Sequence, residues 1–559
     1  MSLRPMRLPS EVMRPERMGA AFPTRLSFMR SLVRRLHREQ WQIESTVFDL
    51  DDQGYGHAIY AARGPHRTYS LMVFSNPLRD DQRTDRVIAE SWDACFVLFD
   101  GLPASAEVKR LAVQAPRQEG GRFCPSDLIL SRANRSVRLY EHVRDALAEG
   151  RQPDIARLAE VGYLMRTTAV YGNGKFGTCD RERLTDRPEF AGPFQAEMLI
   201  VYLIRCFTLD HVEHVARCQS PDTFVPMASE NKRFLGIGNA TGLGMAPFLI
   251  THPELIHYWA NTREIALQKV RSMQWAQGQV RQRFHELLQR VRGHVADWCV
   301  ADEAQRRRID ELSSDLVRLC AWVDGETSRL ERETPWDAVY CWAVTEASIE
   351  CQELVVSLLI ELYPGEVDPL EECLATDVRT PLDGSMQIET LRNIIEQVYA
   401  WTFESDFNDR ASNTYFWYYS EDKMEPRLGF RDNEVGAECE MPIAVARDVQ
   451  HLYQCLSSFS AVTPVATLLM QYPAHRHTVG RVQTIAQYPY GEVQANLIAT
   501  GSRPIDLLRW KLAFFGASKF DPKSNLWTRI TLYQGAPLPS DLPQLDADDW
   551  CFPVRPRVA

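Results

Sequence analysis

None of the 13 cysteines in this 559-residue chain forms a Cys-x-x-Cys pair, and their number is odd. The thiol-redox and zinc-ribbon spacings are therefore missing, and so is the regular even set of a disulfide-stapled secreted domain. Small apolar thiols in a reducing cytosol are the expectation instead. No run of apolar residues is long and uncharged enough to cross a membrane, even at the apolar stretch Met198 to Ile204. Gly-Lys-Ser/Thr is absent, which excludes a Walker A loop, and so are H-E-x-x-H and the G-x-S-x-G elbow. No internal repeat or low-complexity tract stands out. Positive charge is in deficit, with 63 Lys and Arg against 74 Asp and Glu, a formal net charge of -11. General nucleic-acid binding, which needs a clustered basic surface, is not expected.

The N-terminus shows no secretory signal. Its first forty residues are rich in arginine, yet Glu11, Glu16 and Glu39 interrupt them, unlike an organelle presequence. Residues 24–40 read as an amphipathic helix with Leu26, Met29, Leu32, Val33 and Leu36 on one face. Arg30, Arg34, Arg35 and Arg38 lie on the other, expected to be a solvated face, with a membrane surface or acidic partner as the minority reading.

What is present is globular. Hydrophobic residues make up 45% and charged residues 25%, enough apolar surface for a core but too much chain for one. The fold class expected is α+β and mainly helical, in three consecutive parts. Residues 1–130 would hold the amphipathic helix and an antiparallel β-meander, with strands at Thr46–Leu50, His57–Ala62, Thr68–Phe74 and Ala94–Phe99. Residues 131–403 would be a helical bundle. Its helices are Val137–Leu147, a central one over Phe194–Cys218, a long antiparallel hairpin within 262–323, and one from a capping Thr334 and Pro335 to Tyr363. Residues 404–559 would be mixed α/β, ending in an exposed acidic arm at Asp541–Asp549.

Two glycine-rich stretches have the composition of ligand-binding loops. The first, Tyr171-Gly172-Asn173-Gly174-Lys175-Phe176-Gly177, contains G-x-G-x-x-G but leads into a polar segment rather than a helix, so a dinucleotide fold is disfavoured. Converging backbone N–H groups beside Arg166, Thr168 and Lys175 could still hold an anion, with a plain tight turn equally expected. The second runs from Gly236 to Pro247 with four glycines in its first nine residues, and Gly238, Asn239 and Thr241 would supply hydrogen bonds near a helix start. Its rival explanation is close helix–helix packing through glycine. A third stretch, Tyr415 to Arg427, crowds aromatics beside alternating charges. On one strand, Lys423, Glu425 and Arg427 would share a face that could bind a carboxylate, whereas an exposed sheet edge is the simpler reading.

His211 and His214, with Asp210, are a weak metal candidate at i, i+3. Glu346, Glu350 and Glu353 extend to Ser357 and Glu361 as a polar stripe, which reads as a solvent face and not as a carboxylate site.

These readings point to a cytoplasmic, soluble, homo-oligomeric enzyme acting on a small anionic metabolite, a carboxylate or phosphate. Its chemistry would be cofactor-free acid–base catalysis of lyase type. Tyr171, Tyr418 and Lys423 are the candidate proton carriers, and Arg166, Thr168, Asn173, Lys175, Gly238, Asn239, Thr241 and Arg427 the candidate binding residues. No cofactor is expected, although a metal or nucleotide stays open. The alternative is a non-catalytic helical scaffold or regulatory protein that dimerises, or binds partners, through the 262–323 hairpin. A nucleotide-dependent oxidoreductase comes third.

Overall fold

The computed structural model describes residues 3–83, 91–116, 124–168, 184, 186–242, 252–298, 300–325, 329–374, 380–404, 415–420, 425–430, 438–440, 445–494, 506–522, 527–544 and 550–556. The class is α+β. The chain divides into two compact units, each discontinuous in sequence, rather than into three consecutive parts. One comprises residues 23–242, 276–330 and 512–559, and the other 1–22, 243–275 and 331–511.

The first unit is organised by a nine-stranded mixed sheet of order β1-β2-β3-β4-β5-β6-β7-β12-β11. Its strands are β1 Gln42–Leu50, β2 Gly56–Arg63, β3 Thr68–Ser75, β4 Ala94–Asp100, β5 Asp127–Arg135, β6 Tyr163–Thr167, β7 Gly236–Gly242, β11 Lys519–Pro522 and β12 Trp527–Leu532. Neighbours from β1 to β6 pair antiparallel, as short connections require. β6 and β7 pair parallel, so the chain must cross over between them. That crossover contains the Gln195–Gln219 helix, which packs on β2, β3, β5, β6 and β7. The helix is buried on every side around Met198–Ile204, which is why it has no polar face there. Its Arg205 is buried too, and donates to the backbone carbonyls of Leu235, Lys232, Arg233, Ala536 and Pro537. The C-terminal segment is thereby tied to the central helix.

On β3 and β4, Met72, Phe74, Cys95, Val97 and Phe99 alternate onto one face, where Leu111 of the Ser105–Gln114 helix covers them. The Gly278–Ala296 and Glu303–Val323 helices pack on each other. Leu287, Val291, Val295, Leu312, Leu316 and Leu319 along them are all buried.

Three expectations change in this unit. Gly236–Gly242 is a strand and not a loop. A Cβ on Gly238 would sit 2.6 Å from the Tyr163 ring, and one on Gly236 would sit 2.2 Å from the Leu532 carbonyl oxygen. The glycines therefore serve close packing inside the sheet. The helix read over 24–40 forms only over Phe28–Arg38, and of the four arginines on its basic side only Arg38 is exposed. Arg30 is buried with its guanidinium over Trp550, and buried Arg34 donates to the Arg25 carbonyl. Finally, the acidic segment is tied down at its start, where Asp541 accepts from Arg233 at 2.9 Å, and Trp550, Cys551 and Phe552 beyond it are buried, while residues 545–549 of the expected arm lie outside the described residues.

The second unit is largely helical. The Pro253–Arg271, Pro335–Glu346 and Ile349–Ile360 helices pack together. A separate core joins the Ile388–Val398, Val445–Leu456, Val465–Gln471 and Arg476–Gln487 helices through Leu391, Ile395, Val449, Leu452, Leu468 and Val482. A three-stranded sheet of order β10-β8-β9 completes it, with β8 Tyr415–Ser420, β9 Glu425–Phe430 and β10 Glu438–Glu440.

Here two readings are overturned. The helix from Pro335 does not run to Tyr363 but breaks at Ala347, and Thr334 makes no side-chain cap. The carboxylate stripe is not a solvent face either. Glu346 is exposed, but Glu350, Glu353, Ser357 and Glu361 are buried. Glu353 accepts from Arg7 at 2.5 Å, Arg263 at 2.7 Å and Arg17 at 3.0 Å, while Arg7 also forks onto Glu264 at 2.6 and 2.8 Å. Arginines from the N-terminal segment and the Pro253–Arg271 helix thus neutralise Glu353, and Arg509 pairs with Glu350, which is how carboxylates come to be tolerated inside.

Candidate functional site

The parallel pair β6/β7 brings together the flanks of the two glycine-rich stretches. Arg166 stands opposite Gly238 and Thr167 opposite Asn239. Strand alternation then separates the two predicted ligand groups, placing Arg166 on one face of the sheet and Asn239 on the other. On the Asn239 face, Ser131 and Thr167 hydroxyls share a hydrogen bond of 2.7 Å. Asn239 is 1% exposed, and neither its amide oxygen nor its amide nitrogen has a hydrogen-bond partner. Thr168 fixes its backbone N–H on the Arg132 carbonyl at 3.0 Å and leaves its hydroxyl unpartnered.

The Arg166 face carries a cleft. Tyr163 lies on this face, because its ring occupies the space a Cβ on Gly238 would need. Across β7, Gly238 pairs with Thr531 and Ala240 with Arg529, and across β12 these pair in turn with Lys519 and Asp521. Tyr163, Thr531, Arg529, Lys519 and Asp521 thus line one surface of a cleft of about 180 Å³. That is room for a small molecule, below the roughly 300–1,000 Å³ of drug-sized pockets.

Local structure fixes the walls. The Ile155–Val161 helix is capped by Asp154, whose carboxylate accepts from the Arg157 N–H at 2.9 Å. It stops at Gly162, whose φ of 82° lies in the left-handed region. Tyr163 follows at once as the first residue of β6, so the cap and the stop set its position. Ala156, Ala159 and Glu160 of that helix form a second wall. Asp297 and Trp298, just beyond the Gly278–Ala296 helix, form a third with Arg138 and Arg555. Buried His294 anchors this corner through Nδ1, which donates to the Pro553 carbonyl at 3.0 Å. Burial holds its imidazole at about 4, neutral at pH 7.

Four basic residues (Arg138, Lys519, Arg529, Arg555) and three acidic ones (Glu160, Asp297, Asp521) line the cleft, an excess of one positive charge. Arg555 pairs with Asp297 at 2.8 Å and Arg138 with Glu160 at 3.8 Å. Lys519 donates to the Ala159 carbonyl. Tyr163 is 2% exposed, and its hydroxyl has no hydrogen-bond partner. A buried hydroxyl left unmade beside a cationic cleft is an unsatisfied donor facing a place where an acceptor would fit.

Other predicted residues fall elsewhere. Tyr171, Asn173 and Lys175 lie outside the described residues, as does Lys423. Thr241 is on β7 opposite Thr528. Tyr418 and Arg427 stand opposite each other on β8 and β9, in the other unit and on a different sheet from Arg166 and Asn239. The segment read as one strand is a hairpin, in which β9 is an edge. His211 and His214 take structural roles: His211 Nε2 donates to the Gly54 carbonyl at 3.0 Å and its Nδ1 accepts from Tyr140 Oη at 2.7 Å. His214 Nε2 donates to the Asp51 carbonyl at 2.9 Å. Burial, and then the Arg135 guanidinium, bring the His211 ring down to about 3. Among the described residues no three His, Cys, Asp or Glu side chains gather as metal ligands, and no helix is long and apolar enough to cross a membrane.

Sequence reasoning missed Tyr163, Lys519, Asp521, Arg529 and Thr531. One signal was available: Trp527–Tyr533 alternates, so Arg529 and Thr531 share a face. No protein-family model, curated protein or solved structure matches the chain.

Proposed function

We propose that the β6–β7–β12–β11 cleft binds a small anionic metabolite, a carboxylate or a phosphate, and that the protein is a cytosolic enzyme working on it by cofactor-free acid–base chemistry of lyase type. The observation that carries this is the buried, unpartnered Tyr163 hydroxyl beside a cationic excess. Lys519 and Arg529 would hold the anion by charge-assisted hydrogen bonds, and Tyr163 would donate to it and carry the proton. This replaces Tyr171 and Tyr418 as proton carriers and keeps the anionic substrate class. The scaffold reading draws less support. The apolar stripes of the 278–296 and 303–323 helices are buried within the unit, and Val317 is their exposed large hydrophobic residue among those described.

The test is isothermal titration and thermal shift with inorganic phosphate and with a panel of di- and tricarboxylates. Binding to the native state raises apparent stability. Arg529→Gln and Lys519→Ala should each weaken binding by roughly ten- to a hundredfold, the range for a hydrogen bond to a charged group. Tyr163→Phe should weaken it less and, with a turned-over ligand, abolish catalysis. If no anion shifts the wild type, or the three variants bind as it does, the reading fails.

A further inference from the structure

In the helical unit, Cys455 near the end of the Val445–Leu456 helix places Sγ 3.4 Å from Nε2 of His475, which ends the 3-10 turn Pro473–His475. Both residues are half-buried rather than sealed in the core. Burial holds the His475 ring below its ordinary value, against the opposing pull of Asp448, so the neutral base is the form present at pH 7. A thiol hydrogen-bonded to a neutral imidazole is the pairing by which a cysteine is activated.

A second thiol in the chain shows what distinguishes this one. Cys218 lies 3.8 Å from Nε2 of His214, but that nitrogen already donates its proton to the Asp51 carbonyl. It cannot accept one from sulfur. Burial and the neighbouring Asp52 carboxylate also push the Cys218 thiol up. Exposed Cys373 has no imidazole partner among the described residues, and Cys351 is fully buried.

We propose that Cys455 is a modification site, a nucleophilic thiol activated by His475 and oxidised by hydroperoxides to a sulfenic acid. His475 Nε2 takes the S–H proton. The sulfur then attacks the nearer peroxide oxygen, the S–O bond forms and the O–O bond breaks. Sulfur is oxidised by two electrons and the peroxide is reduced. The imidazolium returns its proton to the departing oxygen, which leaves as water when the reagent is hydrogen peroxide.

The experiment treats the full-length protein with hydrogen peroxide, traps sulfenic acid with dimedone, and follows each cysteine peptide by mass spectrometry. A parallel series uses iodoacetamide. Cys455 should react about tenfold or more faster than Cys373 and Cys218, as expected of an activated thiol. In His475→Gln, Cys455 should fall to the Cys373 rate while Cys373 itself is unchanged. Cys351 reports folding in every sample. If it becomes reactive in His475→Gln, the same comparison is made with His475→Asn. Equal rates for Cys455 and Cys373 in the wild type, or an unaltered ratio in a folded His475 variant, overturn the proposal.

Discussion

Replacing Glu353 by Gln should destabilise the helical unit by about 3–5 kcal/mol, the cost of breaking a buried ion pair by removing one partner. Glu353 is 1% exposed and its two oxygens accept from Arg7, Arg17 and Arg263. Arg7 and Arg263 also meet Glu264, and Arg17 also meets Glu11 at 3.6 Å. Glutamine keeps one acceptor but turns an NH2 toward a guanidinium, and it leaves the buried Arg7 and Arg263 sharing the one carboxylate of Glu264. Burial by itself would raise the Glu353 carboxyl, but the guanidiniums of Arg7, Arg263 and Arg17 outweigh it and hold the group well below the usual carboxylate range. The native carboxylate therefore stays ionised well into acid, and the stability it brings, full above the unfolded value of 4.5, is lost progressively as pH falls below that value. Native-state hydrogen exchange is the assay of choice, because a two-unit protein need not unfold in one step. Amides of the Pro253–Arg271 and Ile349–Ile360 helices should lose protection together, while those of the Gln195–Gln219 helix keep theirs. Exposed Glu346, seven residues earlier in the same sequence stripe but on the preceding helix, is the control, and Glu346→Gln should stay within roughly 0.5 kcal/mol. A Glu353→Gln change of less than about 1 kcal/mol would refute the network as a stability determinant.

The remaining predictions concern the sheet unit. Gly238→Ala sets a methyl 2.6 Å from the ring of buried Tyr163, and should cost about 1–3 kcal/mol as overpacking, read from a denaturation midpoint. His211 titrates at about 3 in the folded protein against 6.5 when free, so the unfolded state binds the extra proton between those values. Stability should be unaffected by His211 above pH 6.5 and fall on acidification by about 1.4 kcal/mol per pH unit below it, roughly 2 kcal/mol by about pH 5. A His211→Gln variant should lose one proton's worth of that slope in urea titrations at stepped pH, and an unchanged slope would count against a neutral buried ring.

What could be read beforehand followed from patterns with one dominant cause. The strands from Gln42 to Asp100 alternate or run apolar between turn residues, and the Met198–Ile204 run has no polar side, so both were legible. The buried carboxylates were not. Burial of Glu353 depends on Arg7, some 346 positions away, and a one-dimensional stripe of polar residues carries no trace of such a partner. The glycines of β7 misled for a related reason: turn chemistry and close approach favour the same residue, and only the neighbouring ring decides which applies. The cleft was hidden because its walls come from residues near 138, 160, 297, 529 and 555. Only β12 advertised its polar face by alternation.

The position of β7 also sets an order of events. It is flanked by β6 on one edge and by β12 on the other, and β12 is made almost three hundred residues later. During synthesis, a chain whose first 250 residues have emerged contains β1 to β7 but not β12, the strand that pairs with the glycine-rich β7. It also holds an arginine at 205 whose carbonyl partners at Ala536 and Pro537 do not yet exist. The sheet is sealed and the cleft completed only when the C-terminal segment arrives. Until then the nascent chain carries an open strand edge of the kind that pairs with neighbours. Truncation shortly before residue 527 would leave that state permanent.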